Sequence, residues 1–308
     1  MPNQPNQVYV DFSSNKETVV KRDVWDLGFY SGSNFRVALN GSLYMAAKAL
    51  ATTDMKSVTE TSIESLKAEV KVGSFKESSA DYVDNPDGDI TKTAIAEVYA
   101  DNTKNVVYLV NLGVGLETKE PAVGSVDVSG EARGWRKIRI LRDGTNYKLQ
   151  YANLDDTTFK EVVIKKQPDY NFTFFSLTGE KEVNVEPVKK DWDICFSVFT
   201  SVLGKNGAYG FSDYVFGNRK GGVTAYKVEG SAADYSAFNL AKVDRSLLKE
   251  DQTVIGSSWR NVFKKVVKED VFYIVKVTND IFYKVKFLSL VGIDQKRGKP
   301  RFEFKRLK

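Results

Sequence analysis

The chain has 308 residues, of which 42% are hydrophobic and 28% are charged, and its net charge at pH 7 is +5. This length predicts about two domains, and the hydrophobic content with charges of mixed sign excludes a disordered chain. The sequence has no histidine and a single cysteine, Cys195. It therefore lacks the most common general base and a very common metal ligand, and an intrachain disulfide is excluded.

Charge and hydropathy also argue against two classes of protein. Lys and Arg alternate with Asp and Glu along most of the chain, whereas a nucleic-acid binder gathers basic residues on one face. No apolar run approaches the roughly 18 to 20 residues of a membrane span.

No nucleophile–base pair or nucleotide-binding loop stands in a supporting context, so the sequence predicts a protein that is not an enzyme.

Short strands dominate the first half of the chain. Alternating apolar and polar residues predict strands at 8–12, 17–20, 24–30 and 35–39, and again at 106–111, 135–141 and 147–151. Asp143-Gly144 is typical of the turn of a β-hairpin. Two stretches between these strands carry helix formers at helical spacing, which predicts helices over 42–51 and 59–70.

Four polar residues crowd one loop of the predicted 82–93 segment, namely Asp84, Asn85, Asp87 and Asp89 around Gly88. Oxygen ligands in a tight turn suit Ca²⁺, but their spacing is not that of an EF-hand loop. An ordinary Asp/Gly/Pro turn is favoured over a calcium site. The nearby phrase Gly113-Val114-Gly115 lacks the strand-to-helix setting of a nucleotide loop.

The chain repeats itself. Trp25-Asp26 and Trp192-Asp193 each follow a Phe-Ser pair, and each is followed by an Asn-Gly pair, Asn40-Gly41 and Asn206-Gly207. Later strands also match, with 272–277 similar to 107–112, 281–290 to 134–141, and 301–307 to 148–154. This repeat predicts two tandem antiparallel β-sheet domains, residues 1–157 with the helical insert and residues 158–308.

The repeated words resemble the HmuY family of Bacteroidetes, on the stretches FFSLTGEKEVNVEPVKKDWDICF, YIVKVTNDIFYKVKFLSL and RFEFKRL, with VYVDFSSNKETVVKRDVWDLGF and FRVALNG in the first half. Members are surface or secreted proteins that capture haem for iron acquisition. The resemblance implies a mainly β, antiparallel fold in two tandem HmuY-like domains. It also implies a lipoprotein anchored in the outer membrane or secreted, with haem as ligand and cofactor.

Members of the family coordinate the haem iron with two histidines or two methionines, and neither pair of ligands can be assigned directly to positions of this sequence. Histidine is absent, and the second half has no methionine, so Met45 and Met55 are the candidate ligands in the first half. Filling of the core is the alternative reading of both side chains. A tyrosine ligand, or no axial ligand, is left open.

The aromatic segment 207–226 has two readings. It could form one wall of an apolar cleft, with Arg219 and Lys220 at the rim to pair with a haem propionate. It could instead be a β-hairpin with residues 218–221 as its turn, which is the favoured reading. Two functions therefore stay open: haem or porphyrin capture, with room for an outer-membrane receptor as a partner, and a divergent scaffold that serves adhesion or interaction without ligating haem.

Overall fold

Strands dominate the computed structural model, which describes residues 2–308. This range contains 19 strands, and the predicted mainly β fold is confirmed. Their bounds are β1 Asn6–Asp11, β2 Lys16–Lys21, β3 Leu27–Tyr30, β4 Val37–Leu39, β5 Ala46–Ala49, β6 Val107–Asn111, β7 Trp135–Asp143, β8 Asn146–Ala152, β9 Lys160–Ile164, β10 Phe172–Ser176, β11 Lys181–Val183, β12 Ile194–Val202, β13 Ala208–Gly217, β14 Thr224–Glu229, β15 Arg260–Asn261, β16 Val266–Val267, β17 Val271–Val277, β18 Ile281–Ser289 and β19 Arg301–Arg306.

Helical structure is confined to short turns. The α-helix α1, Ala232–Ala237, begins at a capping box in which Ser231 and Asp234 satisfy each other's backbone amides. The 3₁₀ helices are Gly41–Leu43, Met55–Ser57, Thr61–Leu66, Glu77–Tyr82, Ile90–Lys92, Asn102–Lys104, Gly204–Asn206, Arg219–Gly221, Leu240–Lys242, Arg245–Leu247 and Thr278–Asp280.

The helix predicted over 42–51 is wrong. Its centre is strand β5, where Ala47 pairs with Val110 of β6, so a sheet neighbour overrides the helix propensity of an Ala-rich stretch. The helix predicted over 59–70 is reduced to the 3₁₀ helix Thr61–Leu66, with Ile63 buried against β6 residues. The predicted helical insert is therefore a strand followed by short 3₁₀ helices.

Two antiparallel sheets each contain one set of the repeated strands. The first has the order β5-β6-β7-β8-β9, in which β9 follows the predicted division at residues 157 and 158. The second has the order β14-β17-β18-β19, while β15 and β16 form a separate hairpin. Asp143 and Asn146 pair across the predicted Asp143-Gly144 turn. The matched strands of the sequence repeat thus occupy matched places in the two sheets.

Two further sheets join the halves by exchanging strands. Strand β1 pairs with β12, as in Val10 opposite Ile194, giving the order β13-β12-β1-β2. Strand β10 pairs with β3, as in Phe175 opposite Leu27, giving the order β11-β10-β3-β4. Each of these two sheets therefore combines one hairpin from each half, and the sequence division at residues 157 and 158 stays a prediction.

The hydrophobic cores follow the same exchange. Val10 and Phe12 pack among residues of the second half, in the cluster that contains Trp259 and Phe287. Phe175 and Leu177 pack among residues of the first half, in the cluster around Phe29. Burial of these side chains in the opposite half is a stabilising contribution that holds the two halves together.

The two Trp-Asp pairs fasten these exchanged hairpins. Asp26 Oδ2 accepts a hydrogen bond from the amide of Leu177 at 2.7 Å, and Asp193 Oδ2 accepts one from the amide of Phe12 at 2.8 Å. In each case a carboxylate in one half satisfies the backbone at the end of a hairpin from the other. The repeated pairs Trp25-Asp26 and Trp192-Asp193 therefore hold the two halves together, and we call these two pairs the clasp.

The structure corrects one part of the repeat: the residue of the second half that is equivalent to Asn40 is Asn218, not Asn206. The backbone amide of Asn40 donates to the Asp26 carbonyl at 3.0 Å, and that of Asn218 donates to the Asp193 carbonyl at 2.8 Å. Asn206 lies in an exposed 3₁₀ turn. The sequence match failed because the β12–β13 hairpin is longer than the β3–β4 hairpin and shifts the asparagine along the chain.

Candidate functional site

A cavity of about 160 Å³ lies between the two halves. Its walls come from the segment before β3, the end of β4 and the turn after it, the loop over residues 83–93, strand β12, and β13 with the turn that follows. Its lining includes Trp25, Met45, Asp84, Ser197, Phe216 and Lys220. The cavity thus uses the same segments that the strand exchange brings together.

Direct hydrogen bonds close the halves around this cavity. Thr200 Oγ1 donates to the Gly41 carbonyl at 2.6 Å, which ties strand β12 to the turn after β4. Gln252 Nε2 donates to the Pro86 carbonyl at 2.9 Å, and its backbone amide donates to the Asp87 carbonyl at 3.0 Å. The 83–93 loop is therefore held to the second half at several points.

Two partly buried charged side chains, Asp84 and Lys220, line the cavity, and the buried Glu186 acts on Lys220 from behind its wall. Burial lowers the pKa of Lys220 to about 8, while the carboxylates of Asp84 and Glu186 act in the opposite direction. Burial also raises the pKa of Asp84 to about 6, although the amides of Leu39 and Ala94 donate to it. Burial raises the pKa of Glu186 to about 7. This part of the molecule thus holds one ammonium and two carboxyls that titrate near neutral pH.

Lys220 has an identifiable place in this cluster. Its ammonium donates to the Gly88 carbonyl at 3.1 Å and lies 5.3 Å from the centroid of the Phe172 ring. Arg219 donates to the Asp87 carbonyl at 3.0 Å, with ion pairs to Asp87 at 3.5 Å and to Glu250 at 3.6 Å. Both predicted rim residues are therefore engaged with protein groups, and their pairing with a ligand carboxylate stays a prediction.

Met45 and Met55 lie in different hydrophobic clusters. Met45 is 1% exposed, belongs to the core of the first half and lines the cavity. Met55 is 3% exposed and packs with Val58 and Ile63 in a separate cluster. This arrangement does not fit a pair of axial ligands on one iron, and it matches the core-filling reading of both side chains.

The aromatic segment does not form the expected hairpin. Strand β13 pairs with β12 and strand β14 pairs with β17, so the two strands flanking residues 218–221 belong to different sheets. Tyr214 stacks on Phe199 with ring centroids 4.4 Å apart, and Phe216 faces the cavity. The hairpin reading was wrong because both strands find partners elsewhere.

Two polar atoms at the cavity were missed by sequence reasoning. Trp25 Nε1 and Ser197 Oγ are buried and have no hydrogen-bond partner among residues 2–308. Both are potential donors to a ligand acceptor. The sequence carries no signal for them, because Trp25 is typical of core packing and Ser197 of a strand interior.

The acid-rich loop behaves as a turn. Asp87 Oδ1 accepts from the amide of Asp89 at 2.6 Å, and Asp89 Oδ1 accepts from the amide of Thr91 at 3.0 Å. Within residues 2–308 no cluster of three or more Cys, Asp or Glu side chains could hold a metal ion. No helix in the described range is long and apolar enough to cross a membrane.

A second cavity, of about 210 Å³, lies beside strand β1 and is lined by Gln4, Val8, Phe196, Asp213 and Phe302, among others.

Searches among curated proteins and among solved structures gave no match. The model of one protein family, described as HmuY protein, matches residues 3–304. This match covers nearly the whole chain, including both halves and the clasp between them, and the chain therefore belongs to the HmuY family.

Proposed function

We propose that this chain is a non-enzymatic binding protein, exposed at the outer membrane or secreted, that captures haem or a related porphyrin. Membership of the HmuY family over residues 3–304 is the observation that carries the proposal. The aromatic wall of the cavity and the cation of Lys220 support it, because macrocycle burial and pairing with propionates are what porphyrin capture needs.

The size of the cavity limits how capture can occur. A volume of about 160 Å³ suits a group about as large as benzene, which occupies an engineered cavity of roughly 150 Å³. A porphyrin is several times larger. Capture at this place requires the 83–93 loop to separate from Gln252 and Arg219, whereas capture on the outer surface does not.

A second function is favoured by the composition and by the methionines. The chain has no histidine, and Met45 and Met55 pack in separate clusters. A scaffold that does not ligate iron, and that serves adhesion or binds another surface ligand, is consistent with both facts. The two functions differ in whether the iron gains a protein ligand.

A haemin titration in both redox states tests the first function. Saturation at fixed stoichiometry, with a sharpened and shifted Soret band, supports capture with ligation. A parallel titration with iron-free protoporphyrin separates macrocycle burial from ligation, since it binds only through burial and charge. Neither porphyrin saturating would overturn porphyrin capture and leave the second function.

Leucine variants of the methionines assign the ligand. Met45→Leu and Met55→Leu conserve side-chain volume and should leave the fold intact, which denaturation checks. Loss of the Soret shift with retained protoporphyrin binding would identify a sulfur ligand. An unchanged Soret shift would exclude the methionines and direct the search to tyrosine.

Cell fractionation tests the proposed location. The protein should partition with the outer membrane or the medium and be cleaved by protease added to intact cells. Recovery in a protease-protected soluble fraction would contradict a surface protein.

A further inference from the structure

Three apolar side chains on three different loops are largely exposed to solvent. Phe263 is 95% exposed at the tip between β15 and β16, Ile293 is 91% exposed after β18, and Val123 is 73% exposed in the connection before β7. Isolated exposed apolar residues are common, but side chains of this size are rarely exposed to this degree in one region.

Contacts between the loops bring the three residues to one region. A Cβ atom on Gly124, next to Val123, would lie 2.6 Å from the ammonium of Lys265, two residues after Phe263. Glu120 forms an ion pair with Lys296, three residues after Ile293. The loop that carries Val123 therefore touches both of the others, and we call the three loops (117–128, 261–265 and 290–299) the loop-tip surface.

The loop-tip surface holds six basic and four acidic side chains, so its net charge is +2. Glu120 pairs with Lys296 and Asp294 with Lys299, while Glu117 and Asp127 accept hydrogen bonds from backbone amides. Among residues 2–308, Lys119, Lys264 and Lys265 have no ion pair within 4.0 Å. Exposed apolar residues with free lysines beside them are the pattern of a peripheral membrane-binding surface.

The start of the described chain lies against this surface. Asn3 Nδ2 donates to the carbonyls of Glu117 at 2.8 Å and Lys119 at 2.9 Å. Asn3 therefore fixes the N-terminal segment to the loop that carries Val123.

We propose that the loop-tip surface docks on an anionic lipid surface. Val123, Phe263 and Ile293 enter the interfacial region of the bilayer, while Lys119, Lys264 and Lys265 attract lipid phosphates. Separate protruding tips suit a soft lipid interface better than the packed surface of a protein, which needs continuous complementarity.

Vesicle binding by the purified chain, without haem, tests the proposal. Co-sedimentation is measured with neutral phosphatidylcholine vesicles and with vesicles containing anionic phosphatidylglycerol. We expect binding to the anionic vesicles that weakens with salt. The triple variant Val123→Ser, Phe263→Ser, Ile293→Ser should bind at least tenfold more weakly, and Lys264→Gln with Lys265→Gln should weaken binding roughly tenfold or more.

Matched variants separate the loop tips from general surface stickiness. Leu240→Ser with Leu247→Ser removes two partly exposed leucines outside this surface and should bind like wild type. Phe263→Cys can carry an environment-sensitive dye selectively, because the only native cysteine, Cys195, is buried. A blue shift of that dye on anionic vesicles places the tip in the interface.

The outcomes are distinct from those of the haem test. No vesicle binding, or equal binding by the triple variant and the Leu240/Leu247 control, would overturn the lipid proposal whatever the porphyrin titration gives. Retained activity in the porphyrin titration with lost vesicle binding in the triple variant would support two separate surfaces. Concentration-dependent self-association lost in the triple variant, without vesicle binding, would assign the surface to a second copy instead.

Discussion

Lys137 and Lys284 occupy the same place in the two halves, and each buried ammonium gathers three backbone carbonyls. Lys137, opposite Leu109 in the β6–β7 pair, donates to the carbonyls of Val58, Leu154 and Asp156 at 2.7–2.9 Å. Lys284, opposite Ile274 in the β17–β18 pair, donates to the carbonyls of Tyr235, Ser236 and Phe238 at 2.6–3.2 Å. Each lysine thus ties its sheet to the irregular segment of its own half.

Replacing either lysine by methionine should release that segment. Three buried carbonyls lose a charged donor, and we expect a loss of roughly 2–4 kcal/mol in the free energy of unfolding. Amide hydrogen exchange should rise locally, around α1 in Lys284→Met and around residues 54–58 in Lys137→Met. Lys227→Met, on an exposed face of β14, is the control and should change neither quantity. Exchange spread evenly over the whole chain would contradict the local role.

The asparagines that contact the clasp give a second prediction. Asn40 Nδ2 donates to the carbonyls of Arg22 and Trp25 at 2.7 and 2.8 Å, and Asn218 Nδ2 donates to those of Lys189 and Trp192 at 2.7 and 2.9 Å. Alanine at either position leaves these carbonyls unpaired, and we expect a loss of roughly 2–4 kcal/mol in denaturant unfolding.

The control for these variants is built into the sequence. Asn206, the position that the repeat alone pairs with Asn40, is exposed. Asn206→Ala should therefore unfold close to wild type, since surface changes usually stay within about 0.5 kcal/mol. If Asn206→Ala proved as damaging as Asn218→Ala, the assigned equivalence would be wrong.

The two clasp aspartates should respond oppositely to conversion into asparagine. Asp26 forms a buried ion pair with Arg133 at 2.7 Å, so Asp26→Asn should cost roughly 3 kcal/mol at pH 7. Asp193 forms no ion pair within 4.0 Å among residues 2–308, and burial raises its pKa to about 6. The folded state then holds this proton more tightly than the unfolded state.

The sign of the pH effect follows from that difference. Wild-type protein loses stability as pH rises from near 3.8 toward 6, because Asp193 releases its proton in the unfolded state while burial keeps it protonated in the folded state. Asp193→Asn removes this loss. The stability of the variant minus that of wild type should rise by roughly 2–3 kcal/mol between pH 4 and pH 7, measured by urea unfolding at each pH. A stability difference that does not change with pH would show that burial does not raise the pKa of Asp193 in the folded state.

Sequence patterns predicted the strands well and the connections between sheets poorly. Alternation located β7, β8 and the Asp143-Gly144 turn because each is set by neighbours in the chain. The partner of a strand is set by distant residues, so Ala46–Ala49 was predicted as helix although it pairs with β6. The strand exchange also has no local signal, since β1 would show the same pattern in either half.

The candidate site shows the same limit. Lys220 was identified from its place beside an aromatic segment, but its burial with Asp84 and Glu186 depends on three segments more than 30 residues apart in the chain. Trp25 and Ser197 face the cavity only because the halves exchange hairpins. The sequence showed the repeated Trp-Asp pairs, whereas tertiary packing determines that polar atoms of Trp25 and Ser197 face the cavity.

Gly113 provides the last prediction, and it explains a phrase that resembles a nucleotide loop. Its φ is +69°, and a Cβ atom there would lie 1.8 Å from the carbonyl oxygen of Leu43. That oxygen accepts a hydrogen bond from the amide of Val114 at 2.8 Å, so the backbones must approach closely. Gly144 has a similar φ of +60° but open space around it.

Both Gly→Ala variants carry the strain of positive φ, which costs roughly 1 kcal/mol, and only Gly113→Ala adds a backbone clash. Denaturant unfolding should show Gly113→Ala losing at least 2 kcal/mol more than Gly144→Ala, because separating the two backbones breaks a buried hydrogen bond and disturbs the core around Leu43. Equal losses in the two variants would mean that the φ angle alone requires glycine, and that the approach of residue 113 to the turn after β4 is looser than the structure shows.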